Sequence, residues 1–160
     1  MFGSGVPEGV RSRLGRGERV LAHAPVVGEG ELVAGSQALY LPDGRRVLWQ
    51  DIDQARWSTD TFTFLEEGAG EHSVALRPLD YRRLAETVAE RVTATILVNQ
   101  FVPFPRADSA TGFRLVARRE PGGTEADWRV HLGEGVDPND PALADAVTDA
   151  LAVLHDQMGV

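Results

Sequence analysis

Between Arg19 and Arg77 the chain shows no sustained helical period, and no other feature limits its fold as strongly. Apolar residues there come in short alternating runs, the period of a half-buried strand, separated by turn chemistry. Val20, Ala22, Ala24 and Val26 alternate before Gly28-Glu29-Gly30 turns the chain, and Gly35-Ser36 interrupts a run that resumes as Ala38-Leu39-Tyr40-Leu41. Pro42-Asp43-Gly44 predicts a hairpin: proline presets φ, aspartate bonds its own backbone and glycine accepts the left-handed position. Arg46–Trp49, Ile52–Trp57, Phe62–Leu65 and Val74–Arg77 read as further strands.

The pattern changes after Pro78. Asp80 stands where an N-cap belongs, and Tyr81, Leu84, Ala85 and Val88 recur at helical spacing. From Val92 the β-branched alternation Val92, Ala94, Ile96, Val98 predicts a strand, which Pro103 and Pro105 end. Phe113–Arg118 and Trp128–Leu132 read as two more strands, joined through Pro121-Gly122-Gly123. The last helix is the clearest element. Asp140 caps it, Pro141 takes its first position, and Leu143, Val147, Ala150, Leu151, Leu154 and Met158 form one apolar stripe before Gly159.

The expected fold is α+β. An antiparallel, strand-rich N-terminal half over residues 18–91 is closed by a helix, and residues 92–160 add a three-stranded antiparallel meander and an amphipathic C-terminal helix. Residues 1–17, with five glycines, read as a flexible segment holding a short helix around Pro7–Leu14. A chain of 160 residues buries roughly 70% of its unfolded surface, so it folds without a metal or disulfide staple.

Composition removes whole classes of chemistry. There is no cysteine, hence no disulfide, thiolate ligand or cysteine nucleophile. All sixteen basic residues are arginine, which excludes Schiff-base, Walker A and Ser-x-x-Lys chemistry. A net charge of −8 opposes general affinity for nucleic acid or anionic lipid. Neither a secretory leader nor an apolar run of membrane-spanning length is visible, so a cytoplasmic protein is expected.

Three segments together carry a family resemblance: Gly17–Leu21, Ala38-Leu39-Tyr40 leading into a hairpin, and Arg45-Arg46-Val47-Leu48-Trp49-Gln50-Asp51-Ile52. This stretch resembles the opening of bacterial pleckstrin-homology-like (PH-like) domains. The resemblance implies strands in a bent sheet or barrel plugged by one C-terminal helix, over residues 18–91. Gly35-Ser36-Gln37 departs from the Thr-Asp-Arg that such domains often carry before the third strand. The whole chain resembles an uncharacterised conserved actinobacterial family. Because PH-like folds host lipid, peptide and protein binding alike, the resemblance assigns no catalytic residue.

Most polar constellations have a structural explanation. Asp51 and Asp53 would share one face of a strand but are too few oxygen ligands for a hard metal. Asp137-Pro138-Asn139-Asp140 lacks the glycine and distal glutamate of a calcium loop and reads as helix capping. His23, His72, His131 and His155 show no metal spacing. Trp49, Trp57 and Trp128 read chiefly as core, with Trp57 the one most open to solvent. No cofactor motif occurs and no cofactor is expected.

One local signal stands out. Alternation puts Phe113, Leu115 and Ala117 on one face of the meander together with Trp128, Val130 and Leu132. Arg114, Arg118, Arg129 and His131 then share the other, open face. Forked guanidinium donors suit phosphate or carboxylate. Residues 134–160, in contrast, hold six acids and no arginine.

The reading that follows is a non-catalytic binding or scaffolding protein. It would contact a protein partner, or itself, through sheet surfaces or edges. One alternative is a binder of a small anion or nucleic acid on the Arg114/Arg118/Arg129/His131 face, since the αβββα order is similar in topology to double-stranded-RNA-binding domains. The other is an enzyme of unrecognised type.

Overall fold

The structure, a computed structural model, describes Leu14, residues 17–78 and residues 81–158. The expected N-cap Asp80, the C-terminal Gly159 and, apart from Leu14, the helix around Pro7–Leu14 lie outside the described residues. Among the described residues the fold is α+β, built from antiparallel sheets and two helices. It divides into two compact units: Met1–Thr95 with Glu120–Gly123, and Ile96–Arg119 with Thr124–Val160.

In the first unit, β1 (Val20–Pro25), β2 (Glu31–Gly35), β3 (Ala38–Tyr40) and β4 (Arg46–Leu48) form a four-stranded sheet in that order. Pro42-Asp43-Gly44 makes the β3–β4 turn as its chemistry requires: Gly44 has φ +90°, and the Asp43 carboxylate accepts from the Arg45 amide at 2.9 Å. A 3₁₀ turn, Trp49–Asp51, then leads into a second sheet of β5 (Ile52–Ser58), β6 (Thr61–Glu66) and β7 (Gly70–Ala75). Asp51 therefore sits in a turn while Asp53 sits on a strand, so the two carboxylates do not form a strand-face pair.

The two sheets meet at one corner. Val26 and Leu76 form an antiparallel bridge, and the Val27 amide donates to the Ala75 carbonyl at 2.8 Å. Inside lie Leu32, Leu39, Trp49, Ile52, Phe62 and Phe64, all fully buried. The Trp49 indole N–H donates to the Gly35 carbonyl at 2.8 Å, so its polar edge is satisfied within the core. Trp57 is half-buried and stacks on Tyr81 with ring centroids 5.3 Å apart.

Helix α1 (Arg82–Ala94) packs on this core through Leu84, Val88 and Val92. The strand expected from Val92 is corrected here: the helix runs on to Ala94 and the strand begins at Ile96. Local β-branching favours a strand, but Leu84, Val88 and Val92 lie at i, i+4 and i+8, and burial of that stripe decides the conformation. Thr95 ends the helix by turning its hydroxyl back to the Val92 carbonyl at 2.6 Å.

The second unit is a meander ordered β10-β9-β8, comprising β8 (Ile96–Pro103), β9 (Gly112–Arg118) and β10 (Asp127–Leu132). Helix α2 (Pro141–Met158) shares a core with one face of this sheet, where Phe113, Leu115 and Ala117 meet Leu143 and Leu154. Asp140 caps α2 as expected, its carboxylate accepting from the Ala142 amide at 2.9 Å. Met158, at the end of the stripe, is exposed. Gly112 sits where the strands pass closest: a Cβ there would strike the Val102 carbonyl oxygen. Among the described residues no helix is long and apolar enough to cross a membrane.

Candidate functional site: a groove beside an edge strand

Among the described residues strand β10 has β9 as its one strand neighbour and so stands at the edge of its sheet. Its register pairs Leu132 with Phe113, Val130 with Leu115 and Trp128 with Ala117, which turns these three side chains toward the α2 side. Trp128 is half-covered and meets His155 edge-on, with centroids 5.4 Å apart. Val130 and Leu132 have no such cover and remain 41% and 38% exposed.

The space above them is a groove of about 610 Å³, lined by Val130 and Leu132 on one side and Leu143, Ala144 and Val147 of α2 on the other. Pro138, Asn139, Asp140 and Pro141 close one end. Ala144, the smallest residue of the α2 wall, contributes only a methyl group to it. The sequence pattern places Val130 and Leu132 on the correct face but marks them as core. The signal that they are uncovered is the small residue at 144, one turn from the polar loop Gly133–Asp140.

The backbone of β10 points the same way. The Gly133 amide donates to the Gly112 carbonyl at 2.8 Å, which makes Gly133 and Gly112 a hydrogen-bonded pair. Hydrogen-bonded and non-bonded pairs alternate in an antiparallel ladder. His131 and Arg129 therefore bond toward β9, while the N–H and C=O of Val130 and Leu132 turn to the outer edge. The residues that offer side chains to the groove also offer backbone groups to a new strand.

The groove is apolar and its rim is acidic. Asp140 lines it, and Glu134 and Asp137 lie exposed or nearly so in the loop that bounds it. No arginine or lysine lies between Gly133 and the end of the chain. The positive end of α2 is already occupied by the Asp140 cap, and Asp137 accepts from the Asn139 amide at 2.9 Å.

Arg114, Arg118, Arg129 and His131 do share the opposite face of the sheet, where register sets Arg114 beside His131. They do not form one open surface. Arg118 is 2% exposed, and the Arg129 side chain is 9% exposed and pairs with Asp127 at 3.0 Å. His131 is half-buried. Of the four, Arg114 alone is exposed; it donates to Asn99 at 3.1 Å and lies 5.7 Å over the Phe101 ring.

Elsewhere, titratable groups are engaged in holding strands together. His23 meets Glu31 across β1 and β2 at 2.6 Å, and Glu66 receives both Arg45 at 2.8 Å and His72 at 2.9 Å. Glu18, whose side chain is 1% exposed, accepts from the Tyr40 hydroxyl at 2.5 Å, the Gln37 amide at 3.0 Å and Arg46 at 3.3 Å. Burial, and next to it the bond to Glu18, push the Tyr40 phenol above its ordinary 10.0. A smaller cavity of about 350 Å³ lies among Val26, Glu29, Pro42, His72 and Val74 in the first unit. It too lies beside an edge strand, β7, but Glu29, Asp43, His72 and Ser73 are among its lining residues.

No family model, curated protein or solved structure matches this chain.

Proposed function

We propose that the chain is a non-catalytic binding protein that engages a protein partner along the edge of β10. One observation carries this reading: Val130 and Leu132, large apolar residues in a regular strand, stand open in a groove instead of in a core. Edge strands expose a row of backbone donors and acceptors, and natural proteins cover or blunt them unless they are used. We read the first unit as a PH-like scaffold, a reading supported by its four-stranded and three-stranded sheets followed by a helix. A cytoplasmic location is part of the same proposal.

Photocrosslinking tests it. A photoreactive phenylalanine at Leu132 should give a discrete cross-linked product in the cells that make the protein, and the same group at the exposed loop residue Arg106 should not. The product should vanish when Val130→Asp is added. Equal products at both positions, or none at either, would overturn the proposal.

Anion binding on the Arg114 face has less support, because burial removes Arg118 and the Arg129–Asp127 pair engages a second guanidinium.

A further inference from the structure

We infer that the occupant of the groove is an extended, basic segment of another protein, which adds to β10 as a fourth strand and sets alternate apolar side chains between Val130, Leu132 and α2. This rests on the binding reading above and names the chemistry of the partner.

Three features lead to it. First, the parity of the β10 ladder turns to the open edge the backbone groups of Val130 and Leu132, whose side chains line the slot, so an added strand would bond at the residues that floor its own side chains. A helix lying in the groove would leave the edge groups without partners. Second, the slot is lined by apolar side chains two residues apart on β10, with Leu143, Ala144 and Val147 of α2 opposite them. An incoming strand presents side chains to that face at the same two-residue period.

The third feature is charge. Asp140 at the groove and Glu134 and Asp137 in its loop create a negative rim with no arginine or lysine in the loop or in α2. Lysine or arginine on the partner, flanking or alternating with its apolar residues, complements that rim, speeds encounter and excludes acidic competitors. The same charges disfavour a second copy of this chain. Antiparallel pairing of two β10 strands would bring the Asp127 end of one toward the Glu134 end of the other, and each copy carries a net charge of −8.

The test uses the full chain, labelled with ¹⁵N, and three synthetic octapeptides. One alternates valine with arginine, the second alternates valine with glutamate, and the third is the first with its edge-facing amides N-methylated. The valine–arginine peptide should shift the amide resonances of Val130 and Leu132, and its binding should weaken as salt is raised. The glutamate and N-methylated peptides should each bind roughly tenfold or more weakly, from lost charge complementarity and lost ladder bonds respectively. Leu132→Asp should abolish the shifts. Should that variant fail to fold, Ala144→Leu, which fills the slot from an exposed helix position, serves the same purpose.

Equal binding of the glutamate peptide overturns the charge assignment, and equal binding of the N-methylated peptide overturns strand addition. Dimers in native mass spectrometry, with the β10 amides shifted, would assign the groove to a second copy instead. A silent titration beside a positive Leu132 cross-link defeats this inference alone. Silence in both defeats the binding reading with it.

Discussion

The Tyr40 hydroxyl donates to the Glu18 carboxylate across a sequence gap of 22 residues, and both groups are buried. The pair fastens the segment before β1 to the middle of the first sheet, and Arg46 completes it from β4. Replacing Glu18 with Ala strands the Tyr40 hydroxyl and the Gln37 amide in a site where water is scarce. The expected loss is about 3 kcal/mol of unfolding free energy, read from urea denaturation. Glu18→Gln, which keeps an acceptor, should lose less.

The chain has two tyrosines, and both are shifted the same way. Burial and the Glu18 bond raise Tyr40, while the hydrogen bond to Asp60, followed by burial, raises Tyr81. A spectrophotometric titration of the folded protein should therefore find no tyrosine half-ionised at 10.0, the ordinary value. Because the folded state holds protons that the unfolded state releases, stability is untouched below that pH and falls as pH climbs through it. Phenolate absorbance developing at the ordinary midpoint, with the fold intact, would contradict the network.

Gly112 is required by the space around it. A methyl group there meets the Val102 oxygen and lies 2.9 Å from the Phe104 nitrogen, both backbone atoms that cannot swing aside. Gly112→Ala should cost about 1–3 kcal/mol through forced separation of β8 and β9. Thermal unfolding would measure this, and an unchanged midpoint would refute the close approach.

Asp140→Ala removes the carboxylate that accepts from the Ala142 amide. A loss of about 1 kcal/mol is expected, the usual worth of an N-cap. Asp140→Asn and Asp140→Ser should retain most of it, and urea titration of the three variants separates capping from simple loss of charge.

Leu132→Ser should leave folding stability nearly unchanged, within about 0.5 kcal/mol, because the side chain is already partly in water. The expected combination is normal unfolding and lost partner binding. A large stability loss would place Leu132 in the core and remove the groove.

Local chemistry was legible wherever it acted alone. Pro42-Asp43-Gly44 and Asp140-Pro141 carry their own hydrogen-bond solutions, and the structure uses both. Val92 was misread because its β-branched neighbourhood is a weak preference that a buried helical stripe overrides. Asp51 was misread because a 3₁₀ turn of three residues leaves no periodic trace. For the candidate site, alternation alone correctly divided β9 and β10 into two faces. It could not say that Arg118 is withdrawn from solvent or that α2 leaves Val130 and Leu132 open, because both depend on what lies opposite in space. The alanine at 144 was the sole hint.

The phase of β10 has a consequence for how easily this surface could be rewritten. Inserting one residue between Leu132 and Gly133 would shift the whole of β10 by one position while Gly133 stayed tied to Gly112. The polar side chains upstream would rotate into the slot and the apolar ones out of it. A single codon would thus exchange a greasy cleft for a polar one.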